Sequence, residues 1–282
     1  MASGDVLPPE GSYTFASEEL AHNIAALGAG AFLLLREQFP TVPDGAGLVA
    51  HINPLATPKG KGGQRVTFGQ IEFASGAGPE FYKPVAIKRF GTPYVAAAEA
   101  GAMATVNATS ARQGGEGPVA LEPLGFYRSP DTGQPAVLTG YDSTVTSQKD
   151  FWVANPSRQA ASQAFETAAL SLAGLHTYGF AYGNARAENI ATGARGRPMV
   201  TGLAGMRRLS VLASIDTDPA FQAVIGDLQT YVESLGKMEG APANYQWLVR
   251  DMFTPVYGER VDWKGLFNGE VARGIKIISH LL

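Results

Sequence analysis

The 282-residue chain contains no cysteine, and few of its residues are charged. The lack of cysteine excludes disulfides, thiolate nucleophiles, zinc–thiolate sites and iron–sulfur clusters. Charged residues make up 17% of the chain and balance to a net charge of −3 at neutral pH. We expect no nucleic-acid partner, because phosphate backbones are bound through an excess of clustered Lys and Arg.

The chain also lacks a hydrophobic run long enough to cross a membrane. Its most apolar stretch, 24–35, has only 12 residues, whereas a transmembrane helix needs about 20. That stretch follows two glutamates and a histidine, which is unlike the start of a signal peptide. We therefore expect no membrane span and a cytoplasmic location.

What the chain does contain is a change of pattern near its middle. Residues 46–141 alternate between short apolar runs and turn-rich connectors, which is typical of β-strands. Residues 142–282 are dominated by helical periodicity. Residues 1–45 begin with a polar lead-in and then predict a helix from Ser17 to about Phe39. The expected fold class is α+β, with these three segments as its parts.

Some local patterns are clear enough to predict individual elements. An apolar stripe with helical spacing predicts an amphipathic helix over 157–175. The apolar stretch 83–90, ended by Gly91, predicts a short buried strand. The connector between the β-rich and the helical parts is expected at 141–150.

Three short motifs contain chemically informative residues. The first is VAIK at 85–88, which places a lysine inside a predicted strand while its apolar neighbours face the core. The second is GNARAEN at 183–189, which follows the long predicted helix. The third is VTGLAG at 200–205, which follows a turn. Each motif is common by itself, so their order and spacing are what is informative.

In this order the motifs resemble the protein-kinase-like superfamily, over about residues 46–240. The resemblance implies a two-lobed fold, with a small β-rich N-terminal lobe and a larger helical C-terminal lobe. The segment 1–45 is then an N-terminal helical extension. Lys88 corresponds to the strand lysine that binds phosphates, and Glu99 to the helix glutamate that pairs with it.

The loop and the turn correspond to the catalytic parts of such a protein. In the family pattern H-R-D-x-x-x-x-N, Asn184 falls at the Asp, and Asn189 falls at the metal-binding Asn. Gly202 falls at the metal-binding Asp of D-F-G. Arg186 falls where the loop often carries a phosphate-facing Lys. Asp227 resembles the buried helix aspartate that braces the loop.

The departures from the family pattern predict a loss of catalysis. An amide at 184 accepts hydrogen bonds but takes up no proton near neutral pH. The loss of general-base help costs roughly 10²–10⁴-fold in rate. Gly202 offers no side chain to a Mg²⁺ ion, which prefers hard oxygen ligands. Tyr182 and Gly183 replace the His and Arg of H-R-D. These losses predict a pseudokinase of the atypical kind.

No cofactor is assigned from the sequence. Of the positive groups that bind phosphates in the family, Lys88 and Arg186 are retained. They allow ATP as a ligand, without a strong requirement for Mg²⁺. No G-x-G-x-x-G precedes the lysine. The segment KGKGG at 59–63, with Lys61 at its centre, is either a phosphate-binding loop or a flexible basic hairpin tip.

Two classes of function stay open at this point. The first is a regulatory or scaffold module that presents a surface to a protein partner, such as an active kinase or another enzyme. Segment 1–45 and the predicted last helix, 261–282, are its natural docking elements. The alternative is an active atypical phosphotransferase, or a nucleotidyl transferase, that uses relocated carboxylates. The candidates are Glu188, Asp142, Asp216 and Asp218.

Overall fold

A computed structural model of the protein describes residues 32–34, 51–55, 66–75, 78–115, 117–129, 132–141, 143–154, 157–210, 217–241 and 243–261. The chain divides into two compact units. Unit 1 comprises Met1–Thr105 and Leu121–Asp142, and unit 2 comprises Val106–Ala120 and Ser143–Leu282. The predicted α+β class is confirmed, and the domain boundaries predicted at 45/46 and 141/142 stay predictions.

The described strands are, in chain order, β1 (Phe32–Leu34), β2 (His51–Leu55), β3 (Val66–Ser75), β4 (Gly78–Arg89), β5 (Val119–Ala120), β6 (Pro123–Arg128), β7 (Pro135–Gly140), β8 (Thr146–Ser147), β9 (Phe180–Ala181), β10 (Ile190–Thr192), β11 (Pro198–Val200) and β12 (Arg207–Arg208). The described helices are α1 (Pro93–Arg112), α2 (Gln148–Val153), α3 (Arg158–Thr177), α4 (Thr217–Gly236), α5 (Tyr245–Leu248) and α6 (Thr254–Arg260). A π-helical turn, Val249–Phe253, joins α5 to α6.

Unit 1 is built on one six-stranded antiparallel sheet with the strand order β1-β6-β7-β4-β3-β2. The predicted strand at 83–90 is the second half of β4, where Val85 and Ile87 are buried in the core. Since side chains alternate between the two faces of a strand, Lys88 projects from the face opposite to these two. The sheet register places Lys88 beside Val66 of β3 and Val137 of β7.

The helix predicted from Ser17 to Phe39 is wrong at residues 32–34, which form β1 and pair antiparallel with β6. Phe32 lies opposite Tyr127, and Leu34 lies opposite Gly125. Aromatic and apolar residues gain from cross-strand pairing, and the two glycines before Phe32 weaken a helix. The rest of the predicted helix lies outside the described residues.

Unit 2 holds the predicted amphipathic helix as α3, which confirms that prediction. Its N-cap is Ser157, whose Oγ accepts a hydrogen bond from the backbone N–H of Ala160 at 3.3 Å. The helix ends at Thr177, and Gly179, two residues later, has a φ of +84°, a left-handed conformation that glycine adopts without strain. The buried stripe of α3 forms part of the core of unit 2.

Two small sheets of unit 2 hold the loops that contain the candidate site. One has the order β5-β11-β10-β8, and the other pairs β9 with β12. The loop 182–189 therefore runs from β9 to β10, and Gly202 lies between β11 and β12. Each segment is fixed at both ends by strand pairing.

Within the connector predicted at 141–150, residues 146–150 form β8 and the start of α2. Ser147 caps α2, since its Oγ accepts from the backbone N–H of Asp150 at 3.1 Å and donates to the Asp150 carboxylate at 2.8 Å. The last predicted helix lies outside the described residues from 262 onward, as does Lys61. Each helix in the described ranges is too short or too polar to cross a membrane.

Two helical glycines of unit 2 allow a matched test of packing. A Cβ at Gly174 in α3 would lie 2.2 Å from Cδ of Pro118, whose ring cannot rotate away. A Cβ at Gly226 in α4 would meet nothing within 4 Å. We expect Gly174→Ala to lower the free energy of unfolding by about 1–3 kcal/mol. We expect Gly226→Ala to raise it by about 0.5–1 kcal/mol, because alanine is the better helix former.

Urea unfolding followed by far-UV circular dichroism measures both changes. Equal stabilisation by the two substitutions would contradict the close approach of α3 to Pro118.

Candidate functional site

In unit 1, Lys88 and Glu99 form an ion pair. Lys88 Nζ donates to Glu99 Oε1 at 2.7 Å. The Glu99 side chain is 1% exposed and the Lys88 side chain 31% exposed. A buried carboxylate needs such a partner, so Glu99 fixes the position of the ammonium group. The pairing expected from the sequence is present, and the role of Lys88 in binding phosphates stays a prediction.

In unit 2, the buried carboxylate of Asp227 in α4 holds the start of the loop. Its Oδ2 accepts the backbone N–H of Tyr182 at 2.6 Å, and its Oδ1 accepts the backbone N–H of Gly183 at 2.8 Å. The same helix provides Ser234, whose Oγ accepts from the backbone N–H of Ala187 at 2.8 Å. Backbone donors that lack a strand partner are thus paired with side chains of α4.

The Asp227 carboxylate continues into a buried network with His176 and Tyr257. His176 Nε2 lies 3.2 Å from Asp227 Oδ2, and His176 Nδ1 lies 2.7 Å from the Tyr257 hydroxyl. Burial, and then the negative charge of Asp227, raise the pKa of Tyr257 well above its usual value. The tyrosine therefore keeps its proton. With the Nε2–H tautomer of His176, the Tyr257 hydroxyl donates a hydrogen bond to Nδ1 and Nε2 donates one to Asp227.

At the other end of the loop, Asn184, Asn189 and Gly202 lie together. Asn184 Nδ2 donates to the backbone oxygen of Gly202 at 3.1 Å, and Asn189 Nδ2 donates to the backbone oxygen of Asn184 at 3.0 Å. A Cβ built at Gly202 would lie 3.0 Å from Nδ2 of both asparagines. The three positions that the resemblance assigns to catalysis and metal binding are therefore neighbours in space.

Gly202 has a left-handed backbone, with φ +69° and ψ +46°. Glycine adopts this conformation freely, and among the other residues Asp and Asn adopt it most readily. Position 202 therefore has the backbone geometry that an aspartate tolerates, although it carries no side chain.

Tyr182 is fully buried and ties the loop to the end of β11. Its hydroxyl lies against the backbone oxygens of Asn189, at 2.9 Å, and of Thr201. The backbone N–H of Thr201 also donates to the Asn189 oxygen at 2.8 Å. The tyrosine thus holds Asn189 and the residue before Gly202 in one arrangement. Sequence reasoning treated Tyr182 only as a lost histidine and missed this role.

Gly183 packs backbone to backbone against Gly205. A Cβ at Gly183 would lie 2.2 Å from the Gly205 oxygen, and the φ of Gly183 is +71°. Both the space and the conformation therefore require glycine. The position therefore does not accept the arginine that the resemblance would place at 183.

The chemistry of the asparagine cluster follows from its lack of acidic groups. Asn184 and Asn189 provide only neutral amide oxygens, and Gly202 provides no side chain. Within the described ranges, no group of three or more His, Asp or Glu residues is arranged to hold a metal ion. Since Mg²⁺ is held in proteins through carboxylates, the cluster does not fit a resident Mg²⁺ ion.

The charged groups of the loop pair with each other. Arg186 Nε lies 2.9 Å from Glu188 Oε1, with the side chains 54% and 38% exposed. An exposed pair of this kind contributes little to stability, so Arg186 remains available to an anion. Of the other relocated carboxylates, Asp142 and Asp216 lie outside the described residues, as does the side chain of Asp218.

No protein-family model matches the chain, and none of the curated proteins matches it.

The Asp227 network predicts a large effect of a small substitution. In Asp227→Asn, an amide NH₂ replaces one acceptor and faces a backbone N–H, so that buried donors lose their partner. We expect the free energy of unfolding to fall by about 2–4 kcal/mol. The matched control is Asp251→Asn, at an exposed carboxylate that pairs with Arg250, for which we expect a change within about 0.5 kcal/mol.

Chemical denaturation of both variants measures the difference. Unfolding of both at the same urea concentration would show that Asp227 does not brace the loop.

Proposed function

We propose that this chain is a degenerate member of the protein-kinase-like superfamily, a pseudokinase that acts as a regulatory or binding module. In this proposal the β-rich unit 1 is the small lobe, and the helical unit 2 is the large lobe. The observation that carries the proposal is the cluster of Asn184, Asn189 and Gly202: three positions expected to hold two aspartates and an asparagine lie together and contain no carboxylate.

The ion pair of unit 1 supports a kinase-like ancestry. Lys88 on β4 and Glu99 on α1 are eleven residues apart, and burial of the glutamate fixes the lysine. One ammonium hydrogen is directed to Glu99, and the partial exposure of Lys88 leaves its remaining hydrogens able to reach an anion. This arrangement suits a lysine that holds phosphate oxygens.

The loop of unit 2 supports the same ancestry. Asp227 on α4 binds two consecutive backbone N–H groups at the start of the loop, as the resemblance predicts for the bracing aspartate. The loop is therefore held in one conformation although its catalytic carboxylate is missing. A loop that is held in place by hydrogen bonds but lacks a catalytic base suits a binding role better than a catalytic role.

A regulatory role implies a protein partner, and we propose an enzyme, such as an active kinase, as that partner. Without a base at 184 and a metal ligand at 202, transfer of a phosphoryl group would lose two contributions to transition-state stabilisation, each of several kcal/mol. Binding of the nucleotide itself requires neither group. In this role the chain presents a surface to its protein partner, and the shape of that surface depends on whether the nucleotide is bound.

The first test is thermal unfolding of the full chain with ATP, with and without Mg²⁺ or Mn²⁺. We expect ATP alone to raise Tm by about 2–4 °C, which corresponds to roughly 1 kcal/mol of linked binding. We expect the divalent ion to add no further rise, because the cluster of Asn184, Asn189 and Gly202 offers it no carboxylate. We expect the Tm of Lys88→Met with ATP to equal the Tm of the same variant without ATP. The control Lys149→Met, at an exposed lysine of α2, should retain the rise in Tm with ATP.

Other results of this test would overturn the proposal. A large metal-dependent rise together with transfer of label from the γ-phosphate would indicate an active phosphotransferase with relocated carboxylates. Transfer of label from the α-phosphate would indicate a nucleotidyl transferase.

The second test restores the missing carboxylates. We expect the double variant Asn184→Asp with Gly202→Asp to gain a Mg²⁺-dependent rise in Tm with ATP. The left-handed backbone at 202 lowers its basal stability by about 1–2 kcal/mol. The matched control combines Asn184→Asp with Gly202→Asn, which has the same backbone cost and one charge fewer. Equal responses of the two double variants to Mg²⁺ would contradict the assignment of position 202.

A further inference from the structure

Unit 2 also contains a concave site. It is a cavity of about 590 Å³, lined by α2, by the first half of α3 and by the turn between β10 and β11. Sites for small molecules have volumes of about 300–1,000 Å³. None of the candidate residues of the kinase-like site lines this cavity.

The cavity has one acidic and one basic group on its wall. Glu166 projects from α3, and Arg195 projects from the turn between β10 and β11. Both side chains are exposed, and neither forms an ion pair or hydrogen bond within the described part of the chain. Two opposite charges that share a cavity and do not neutralise each other leave both available to a ligand.

The backbone at Arg195 is unusual. Its φ of 59° and ψ of 26° are left-handed, and every other residue of positive φ in the described ranges is a glycine. The turn also contains Gly193 and Gly196, so glycine is the residue that would close it without strain. Strained residues other than glycine concentrate at functional sites. This left-handed residue contributes its side chain to the lining of the cavity.

Part of the cavity wall is apolar. Phe151 of α2 and Ala164 and Leu170 of α3 contribute to that part. A guanidinium group is suited to a carboxylate, because its fork of N–H donors matches two oxygens. A carboxylate such as Glu166 is suited to an ammonium group. The apolar wall is suited to a hydrocarbon body that joins the two.

We propose that this cavity binds a small zwitterion, with its ammonium group at Glu166, its carboxylate at Arg195 and its apolar body against Phe151 and Leu170. The ligand class is that of amino acids whose two charges are separated by a hydrocarbon chain. The site is independent of the proposed nucleotide site, since the two share no residue.

The test is an NMR titration of the full chain with glycine, γ-aminobutyrate and ε-aminocaproate, which carry the same charges at increasing separation. We expect saturable shifts of the Gly193 and Gly196 amide signals, with one member of the series binding most tightly. Butylamine and butyrate each lack one charge, and we expect them to bind about tenfold more weakly than that member.

Variants of the two charged residues give the second readout. We expect Glu166→Gln and Arg195→Gly each to weaken binding about tenfold. Arg195→Gly should not lower Tm, because glycine adopts the left-handed backbone freely, so its loss of binding is not a loss of folding. The matched controls are Glu239→Gln and Lys237→Gln, exposed charges that do not line the cavity, and they should bind as the unchanged chain does.

Two results would overturn the proposal. One is the absence of saturable shifts with every member of the series at millimolar concentration. The other is binding that Glu166→Gln and Arg195→Gly leave unchanged. The response of Tm to ATP is measured on the same samples, so failure of this site is distinguishable from failure of the proposed nucleotide site.

Discussion

The described part of unit 2 depends on one buried negative charge, the carboxylate of Asp227. Burying a carboxylate is unfavourable unless hydrogen-bond donors surround it, and three donors do so: two backbone N–H groups of the loop and the ring of His176. The loop gains partners for backbone groups that no strand reaches. Through the histidine, the charge also connects the end of α3 to Tyr257 in α6. The network around this one side chain therefore links α3, α4, α6 and the loop.

Part of the fold and of the candidate site could be predicted from the sequence. The VAIK strand follows from alternation of apolar residues, and the pairing of Lys88 with Glu99 follows from the resemblance. The place of β1 could not be predicted, because Phe32–Leu34 has no strand signal of its own and gains its stability from pairing with a strand about ninety residues later. The role of Tyr182 was missed for a similar reason. Its hydroxyl partners are backbone oxygens, which leave no trace in residue identity.

The cavity of unit 2 illustrates the other limit of sequence reasoning. Glu166 and Arg195 are ordinary surface charges in the sequence, and only the folded chain brings both to one wall. A left-handed arginine is equally invisible, since a G-A-R-G turn is compatible with several backbone conformations. Residue types predict which chemistry is available, whereas long-range contacts decide which groups meet. The residues of the proposed nucleotide site could be located because they fall in motifs of known order and spacing, whereas no motif marks Glu166 and Arg195.

The contact between Gly183 and Gly205 has a consequence for how such a chain changes over time. A side chain at 183 would enter the space of the Gly205 oxygen, 2.2 Å from the Cβ position, so the backbone of both segments would have to separate first. An arginine at 183 is thus excluded until the turn after Gly202 has a different path. No side chain at 183 is accommodated without such a change. Gly183 and Gly205 therefore constrain each other, whatever residue stands at 184.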